Sequence, residues 1–427
     1  MLNRFTTICG VVPTLFMCVN SFASPASPPA SDDPGTLNSS AELLGLASSV
    51  FATDLLRAVR ASGETGNVFI SPSSVHAALA MARVGAGTRT REELSRVMRI
   101  DQVSGRAAIT DETFRHFATL LTNQANAPRR DWDPEGAQRL TLTQAAALWA
   151  SKDSGLKPGA SASLQHLFQS PTTLLDFTKP GKTADKINDW ASTHTRKRIT
   201  RVVEPGDIPA SGLILTTAIY FKASWFEQFD RVSDMTFTAG GKPRAVATMM
   251  NEGNFAYARI TDGQVAWIPY FGHAEMMIVL PDEGKFEQAI AGLDLASIKR
   301  EQPGRPVIAT LPLFSLNSNL QLAKPLGAMG LSTAMDPSAA DFTGFTDVKP
   351  TYIDKVVHIA NCDVDEKGTE AAAVTAMIMV TGAPVQQEPP KPIEFKADRP
   401  FVFFIRHSSG VVLFAGVVAD PIAPKAK

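Results

Sequence analysis

The stretch DEKGTEAAAVTAMIMVTGAP, Asp365 to Pro384, starts charged, turns small, becomes aliphatic and stops at a Gly-Ala-Pro break. From Ala371 to Thr381 it holds no proline, no charge and no aromatic ring. Such a run can join a β-ladder without losing a donor, and its small side chains fit a confined slot. Gly368 at one end and Gly382-Ala383-Pro384 at the other are loop signals. The segment therefore has the composition of a loop in one state and of a buried strand in another. After Glu370 the next charge is Glu388, so nothing in between resists burial.

The rest of the chain has the make-up of an ordinary soluble globular protein. It has 427 residues, 44% hydrophobic and 19% charged, with a formal net charge of -1. No basic excess points to nucleic acid or to an anionic membrane surface as a partner. The N-terminus MLNRFTTICGVVPTLFMCVNSFAS joins Arg4 to an apolar run from Phe5 to Val19, with Ser21 and Ala23 as the small residues a signal peptidase needs. Residues 1–23 are read as a signal peptide, which makes the mature protein secreted or periplasmic and leaves it off the membrane. A membrane anchor is the competing reading; the run is short for it and is broken by Pro13. Cys9 and Cys18 fall inside this leader, so Cys362 alone remains and no internal disulfide can form. Residues 24–40, rich in Pro, Ser and Asp, cannot build a core and are read as a disordered linker.

Ser39 and Glu42 form a capping-box pattern for a helix running to about Ala61. Pro72 opens a second helix after NVFISPSS, TREELSRVM fits a third, and ADKINDWASTHTRKRI reads as an amphipathic one. LTLTQAAALWA fits strand or helix on pattern, and its threonine alternation favours strand. GLILTTAIYF, VAWIPYF, AEMMIVLPD, PVIATLPLFSLN, KVVHIANCDVDE, FVFFIRH and VVLFAGVVADP read as strands. Helices come early and strands mainly later, with no internal repeat. The expectation is an α+β fold in one domain over residues 41–424.

Catalytic signatures are missing: there is no G-x-S-x-G, H-E-x-x-H, Walker or G-x-G-x-x-G pattern. The seven histidines lack metal-ligand spacing. The expectation is a protein that is not an enzyme and needs no cofactor or metal. The basic cluster at Arg196 to Arg201 reads as a solvated helix end. His76 and His358 sit in apolar surroundings and read as core histidines, and Cys362 as a small buried residue in a strand.

DEKGTEAAAVTA resembles the hinge of the serpins, the serine-protease-inhibitor fold, in its inhibitory form. NVFISPSSVHAALAM is similar to the serpin segment entering the second helix, and LTTAIYFKASWFEQFD to the strand carrying a buried tryptophan, here Trp225. VVHIANCDVDEKGTEAA has the family spacing from His358 to Gly368, and FKADRPFVFFIRHSSGVVLFAGVVADP is similar to the C-terminal signature. The resemblance spans about Ser40 to Pro424.

It implies the serpin fold, an α+β architecture of about nine helices and three β-sheets with an exposed reactive-centre loop. It implies a suicide inhibitor whose partner is a serine protease, held as a covalent acyl-enzyme; a cysteine protease, through a thioester, obeys the same logic. A monomer is expected. Glu366, Lys367, Gly368, Thr369, Glu370, Ala371, Ala372 and Ala373 would form the hinge. The scissile bond would lie about fourteen residues beyond the glycine, at Gly382-Ala383, with Val380 and Thr381 as register alternatives. QQEPPKP looks like surplus length, and if it sits upstream the bond could lie as late as Gln387. Ser71, Ser74, Thr217 and His358, with Trp225, would form the cluster that governs sheet opening; Thr217 stands where the family commonly has asparagine. No Lys or Arg lies between Gly368 and Lys391, and the bait residues are small, which implies an elastase-like or subtilisin-like target. The alternative within the family is a non-inhibitory member that binds a ligand or partner; the intact hinge speaks against it.

Overall fold

The computed structural model describes residues 33–101, 108–127, 140–169, 172–194, 197, 200–302, 305–369 and 391–424. In chain order, α1 (Pro34–Ala61) and β1 (Val68–Ile70) lead to α2 (Pro72–Val84), α3 (Thr88–Val97) and α4 (Asp111–Ala125). Then come β2 (Thr141–Ser151), α5 (Pro158–Phe168), β3 (Thr173–Leu175), α6 (Pro180–His194) and β4 (Leu213–Ser224). A run of strands follows: β5 (Asp230–Ala239), β6 (Lys242–Gly253), β7 (Ala256–Ile260), β8 (Gly263–Pro269) and β9 (Ala274–Pro281). After α7 (Phe286–Ala291) lie β10 (Val307–Pro312), β11 (Phe314–Gln321), α8 (Ala323–Ala328) and β12 (Ile353–Asp365). The chain ends with β13 (Gly368–Thr369), β14 (Ile393–Lys396), β15 (Phe401–His407) and β16 (Val412–Val418).

These strands make the three implied sheets. The central one has the order β11-β12-β13-β4-β2-β3, a second the order β1-β16-β15-β9-β8-β7, and a four-stranded one the order β14-β10-β6-β5. Where the resemblance implied about nine helices, eight α-helices occur among the described residues.

The second sheet is the hydrophobic heart of the molecule. β16 is buried at every position and β15 at all but Arg406, as their unbroken apolar runs require. Gly416 is needed there, because a Cβ would stand 2.3 Å from the Phe403 ring. One apolar core fills the space between this sheet, the inner face of the central sheet and the helices α1 and α2. A second, smaller core lies on the outer face of the central sheet, where Ile187 and Ala191 of α6 cover Trp149, Val357 and Ile359. Along β12 and the first half of β4 the central sheet is thus buried on both faces, and a strand added between these two enters between two layers.

Two expectations are corrected. The first helix starts before Ser39: Asp33 is its N-cap, its carboxylate accepting from the Thr36 N–H at 3.1 Å, and Pro34 stands in the first turn. The segment Pro34–Ser40 assigned to the linker is therefore helical, and Leu37 is buried. The stretch PVIATLPLFSLN is two strands in two sheets. β10 pairs with β6 and β14, the chain turns at Pro312-Leu313, and β11 pairs with β12. Proline has no N–H to continue a ladder, so the change of sheet falls where a donor is missing. Among the described residues no helix is long and apolar enough to cross a membrane.

Candidate functional site

β4 and β12 run parallel and pair along a seam from Leu213 with Ile353 to Ile219 with Ala360. Beyond that point they part, and the two-residue strand β13 sits between them. Gly368 pairs with Asp365 of β12 and with Ser224 of β4; Thr369 pairs with Val364 and with Ala223. Both pairings are antiparallel, so β13 is a wedge at the open end of a parallel seam.

The wedge is held by several bonds. After β12 the chain turns at Glu366-Lys367, and the Asp365 carboxylate accepts from the N–H groups of Lys367 at 2.9 Å and Gly368 at 3.2 Å. The Trp225 N–H donates to Lys367 O at 3.0 Å, the Phe229 N–H to Glu366 O at 2.9 Å, and the Trp225 indole to Asp365 O at 2.9 Å. Gly368 has φ +146° and a Cβ there would lie 2.2 Å from Ala223 O, so no other residue fits. Thr369 is 0% exposed, and its hydroxyl is 2.8 Å from the phenol of Tyr270. Tyr270 in turn stacks on Trp225, with ring centroids 4.3 Å apart. Burial pushes the Tyr270 phenol well above its usual range and raises the Asp365 carboxyl, the latter opposed by its backbone donors.

Deeper along the seam lies the polar cluster. Ser71, the N-cap of α2, donates its N–H to His358 Nε2 at 2.9 Å. Nε2 must then be the acceptor, so the ring proton sits on Nδ1 and points at Thr217 Oγ1, 2.7 Å away. His358 and Thr217 are direct neighbours across the β4–β12 seam, so this bond spans the line along which the sheet would part. Burial lowers the His358 pKa to about 3, which keeps the ring neutral and the tautomer fixed. Ser71 Oγ donates to Leu413 O at 2.8 Å and Ser74 Oγ to Ser71 O at 3.1 Å, tying the seam to α2 and β16.

The structure thus brings Ser71, Ser74, Thr217 and His358 together. Trp225, grouped with them on sequence, is elsewhere: it packs beside the wedge on Tyr270 and Asp365, because it follows the last residue of β4 while Thr217 lies in its middle. Glu366, Lys367, Gly368 and Thr369 form the wedge and its turn. Glu370, Ala371, Ala372 and Ala373, and the scissile-bond candidates Val380, Thr381, Gly382, Ala383 and Gln387, lie outside the described residues. Cys362 is buried within β12, as the sequence reading had it. Tyr270 and the clamping role of Asp365 were not found from sequence. VAWIPYF announces a strand, and nothing local links its tyrosine to a threonine 99 residues on. Among the described residues no cluster of His, Cys, Asp and Glu could hold a metal ion.

A family model described as serpin (serine protease inhibitor) matches residues 46–421. An uncharacterised serpin-like protein of Thermococcus kodakarensis is 34% identical over 380 residues, covering 87% of this chain and 84% of the relative. The leukocyte elastase inhibitor of Sus scrofa is 33% identical over 401 residues, covering 89% of this chain and all of the relative. Among solved structures, uncleaved ovalbumin superimposes with a TM-score of 0.73 at 24% identity, over 88% of this chain and 100% of that one. Serpin48 of the insect Tenebrio molitor gives a TM-score of 0.73 at 22% identity, over 92% of this chain and 100% of that one.

Proposed function

The chain belongs to the serpin family, and on that premise we propose that it is a suicide inhibitor of serine proteases, exported through its N-terminal leader. The observation that carries this is the wedge. Gly368 and Thr369 are paired on both sides in the register that a longer inserted strand would continue.

The mechanism follows from extending that register. A protease attacks the loop and forms an acyl-enzyme on the residue before the cut. Cleavage frees the upstream half of the loop, which enters the sheet between β4 and β12. Thr369 faces the inner core, so alternation sends Ala371, Ala373, Thr375, Met377 and Met379 inward. It sends Glu370, Ala372, Val374, Ala376, Ile378 and Val380 outward, beneath α6. Counting six residues on from each partner of Thr369 brings Thr375 opposite His358 and Thr217. A threonine hydroxyl, which both donates and accepts, then replaces the Thr217–His358 bond that insertion breaks. Counting one residue on brings Glu370 opposite Asp363 on β12 and Lys222 on β4, so the last charge of the hinge meets one like charge and one opposite charge.

Insertion exchanges one parallel seam for two antiparallel ladders, the slightly stronger kind. New ladder bonds contribute roughly 1 kcal/mol each and buried aliphatic side chains about 1.5–3 kcal/mol each, on the order of 10–20 kcal/mol before ordering costs. The strand from Gly368 to Gly382 spans about 50 Å at roughly 3.3 Å per residue, so the tethered protease is carried to the far end of the sheet. Displacing its catalytic groups by about 1 Å slows deacylation roughly 100-fold or more, and the complex is trapped.

The small bait residues support an elastase-like or subtilisin-like target, and leukocyte elastase inhibitors are among the relatives. The test is incubation with elastase, subtilisin and trypsin, followed by denaturing electrophoresis and mass spectrometry of the released C-terminal peptide. The expected result is a covalent complex with elastase or subtilisin and a peptide starting at Ala383. Clean cleavage by every protease without a complex, together with no gain in thermal stability of the nicked protein, overturns the reading.

A further inference from the structure

Two pieces of chain roof the outer face of the β4–β12 seam. One is α6, through Ile187 and Ala191. The other is the return segment that follows it, where Val202 and Val203 are 5% and 2% exposed. These valines share an apolar cluster with Ile214 of β4 and with Val357 and Ile359 of β12, so the roof straddles the seam. Asn188 of α6 joins the two pieces. Its Oδ1 accepts from the N–H of Val202 at 2.7 Å and of Val203 at 3.1 Å, and its Nδ2 donates to Val203 O at 3.0 Å. The return segment is irregular at this point, so no ladder satisfies these peptide groups. One amide side chain supplies both the acceptor and the donor they need. Further along, Asp207 meets Lys355 of β12 at 3.3 Å, with the two side chains 35% and 25% exposed. A half-open pair of that kind contributes little.

We propose that Asn188 is a positioning residue that latches this roof and thereby sets the rate at which a strand enters the central sheet. A strand passing between β4 and β12 goes beneath the roof, so the roof has to rise. Once it is raised, water serves the peptide groups of Val202 and Val203; while it is shut, Asn188 serves them. Removing the amide therefore raises the free energy of the shut form more than that of the raised form, and opening becomes faster. The effect on trapping a protease rests on the inhibitor reading, whereas the latch itself is a property of the intact protein.

The test compares the parent with Asn188→Ala and with Asn188→Asp, which keeps the acceptor and loses the donor. Backbone hydrogen exchange of the intact proteins, read by peptide mass spectrometry over residues 353–360 of β12, reports opening of the seam with no protease present. Asn188→Ala should exchange about tenfold faster there, and Asn188→Asp should stay within about threefold of the parent. A second readout is the time course of heat resistance after the loop is nicked, which follows entry of the cut strand. It should also be about tenfold faster in Asn188→Ala. A merely structural role would lower the melts of the intact and nicked forms alike and leave both rates where they were. Exchange at the parent's rate in Asn188→Ala overturns the inference, and so does an Asn188→Asp as fast as Asn188→Ala. Faster exchange without faster heat resistance, in a parent that gains it, overturns it too, because the roof would not then limit entry. A parent that gains no heat resistance on nicking sinks the inhibitor reading instead, and the exchange rates still decide the latch.

Discussion

Replacing Thr369 by arginine should turn the protein from an inhibitor into a substrate. Thr369 is fully buried and its hydroxyl bonds to the buried phenol of Tyr270. Arginine first removes that bond, and leaving Tyr270 without a partner costs about 1–3 kcal/mol. It then places a guanidinium on the inner face, where the surroundings are Val364 and Ala223 and an unpaired buried charge costs several kcal/mol. The wedge therefore stays undocked. Insertion must start at this residue, so about 5 kcal/mol falls on its first step and slows it by roughly 10³–10⁴-fold. Deacylation then wins, and the protease leaves intact. The assay is titration of an elastase-like enzyme with the parent and the variant, scored for residual activity and for covalent complex on denaturing gels. The variant should yield cleaved chain and almost no complex. Thr369→Ser, which keeps the hydroxyl, should behave as the parent. A variant Thr369→Arg that forms as much complex as the parent refutes the reasoning, because insertion would not then pass through the wedge.

Gly368→Ala should also block docking, since its Cβ would lie 2.2 Å from Ala223 O at a φ of +146°; faster proteolysis of the hinge in the uncleaved protein is the readout. Thr217→Val should strand the His358 Nδ1 proton and cost about 1–3 kcal/mol, seen as a lower urea midpoint for the intact protein and a smaller loss for the nicked form, where Thr375 supplies the partner. Stability should fall steeply between pH 6.5 and about 4. Burial lowers His76 to about 4, His358 to about 3 and His407 to about 4, so the unfolded chain binds these protons first. The contribution of each is complete above pH 6.5 and is lost at about 1.4 kcal/mol per pH unit below it. Urea melts at pH 7, 6 and 5 measure this, and a flat midpoint would contradict it. Nicking the reactive loop should raise the melting temperature by more than about 20 °C, from a gain on the order of 10 kcal/mol at roughly 2 °C or more each.

The sequence by itself determined the elements whose signal is local. FVFFIRH and VVLFAGVVADP are strands because their apolar runs admit nothing else, and Ser71-Pro72 starts a helix because the cap and the missing donor coincide there. It also determined that Ala371 to Thr381 carries no proline or charge that would bar it from a buried strand, which is what the proposed insertion requires. Asp33-Pro34 carried a helix start as clear as that of α2, yet the Pro- and Ser-rich composition around it hid the signal. The helix DETFRHFATLLTNQA and the hairpin turning at Gly240-Gly241 also escaped the sequence reading, although an acidic first turn and two positive-φ glycines mark them. Only the tertiary structure decided where the hinge docks and what holds it. Gly368 and Thr369 find Ala223 and Ser224 on a strand far away in sequence, and Thr369 finds Tyr270 on a connection between two others. Ladder partners and buried hydrogen bonds depend on which strands the packed layers bring side by side, and local composition carries no record of that neighbour.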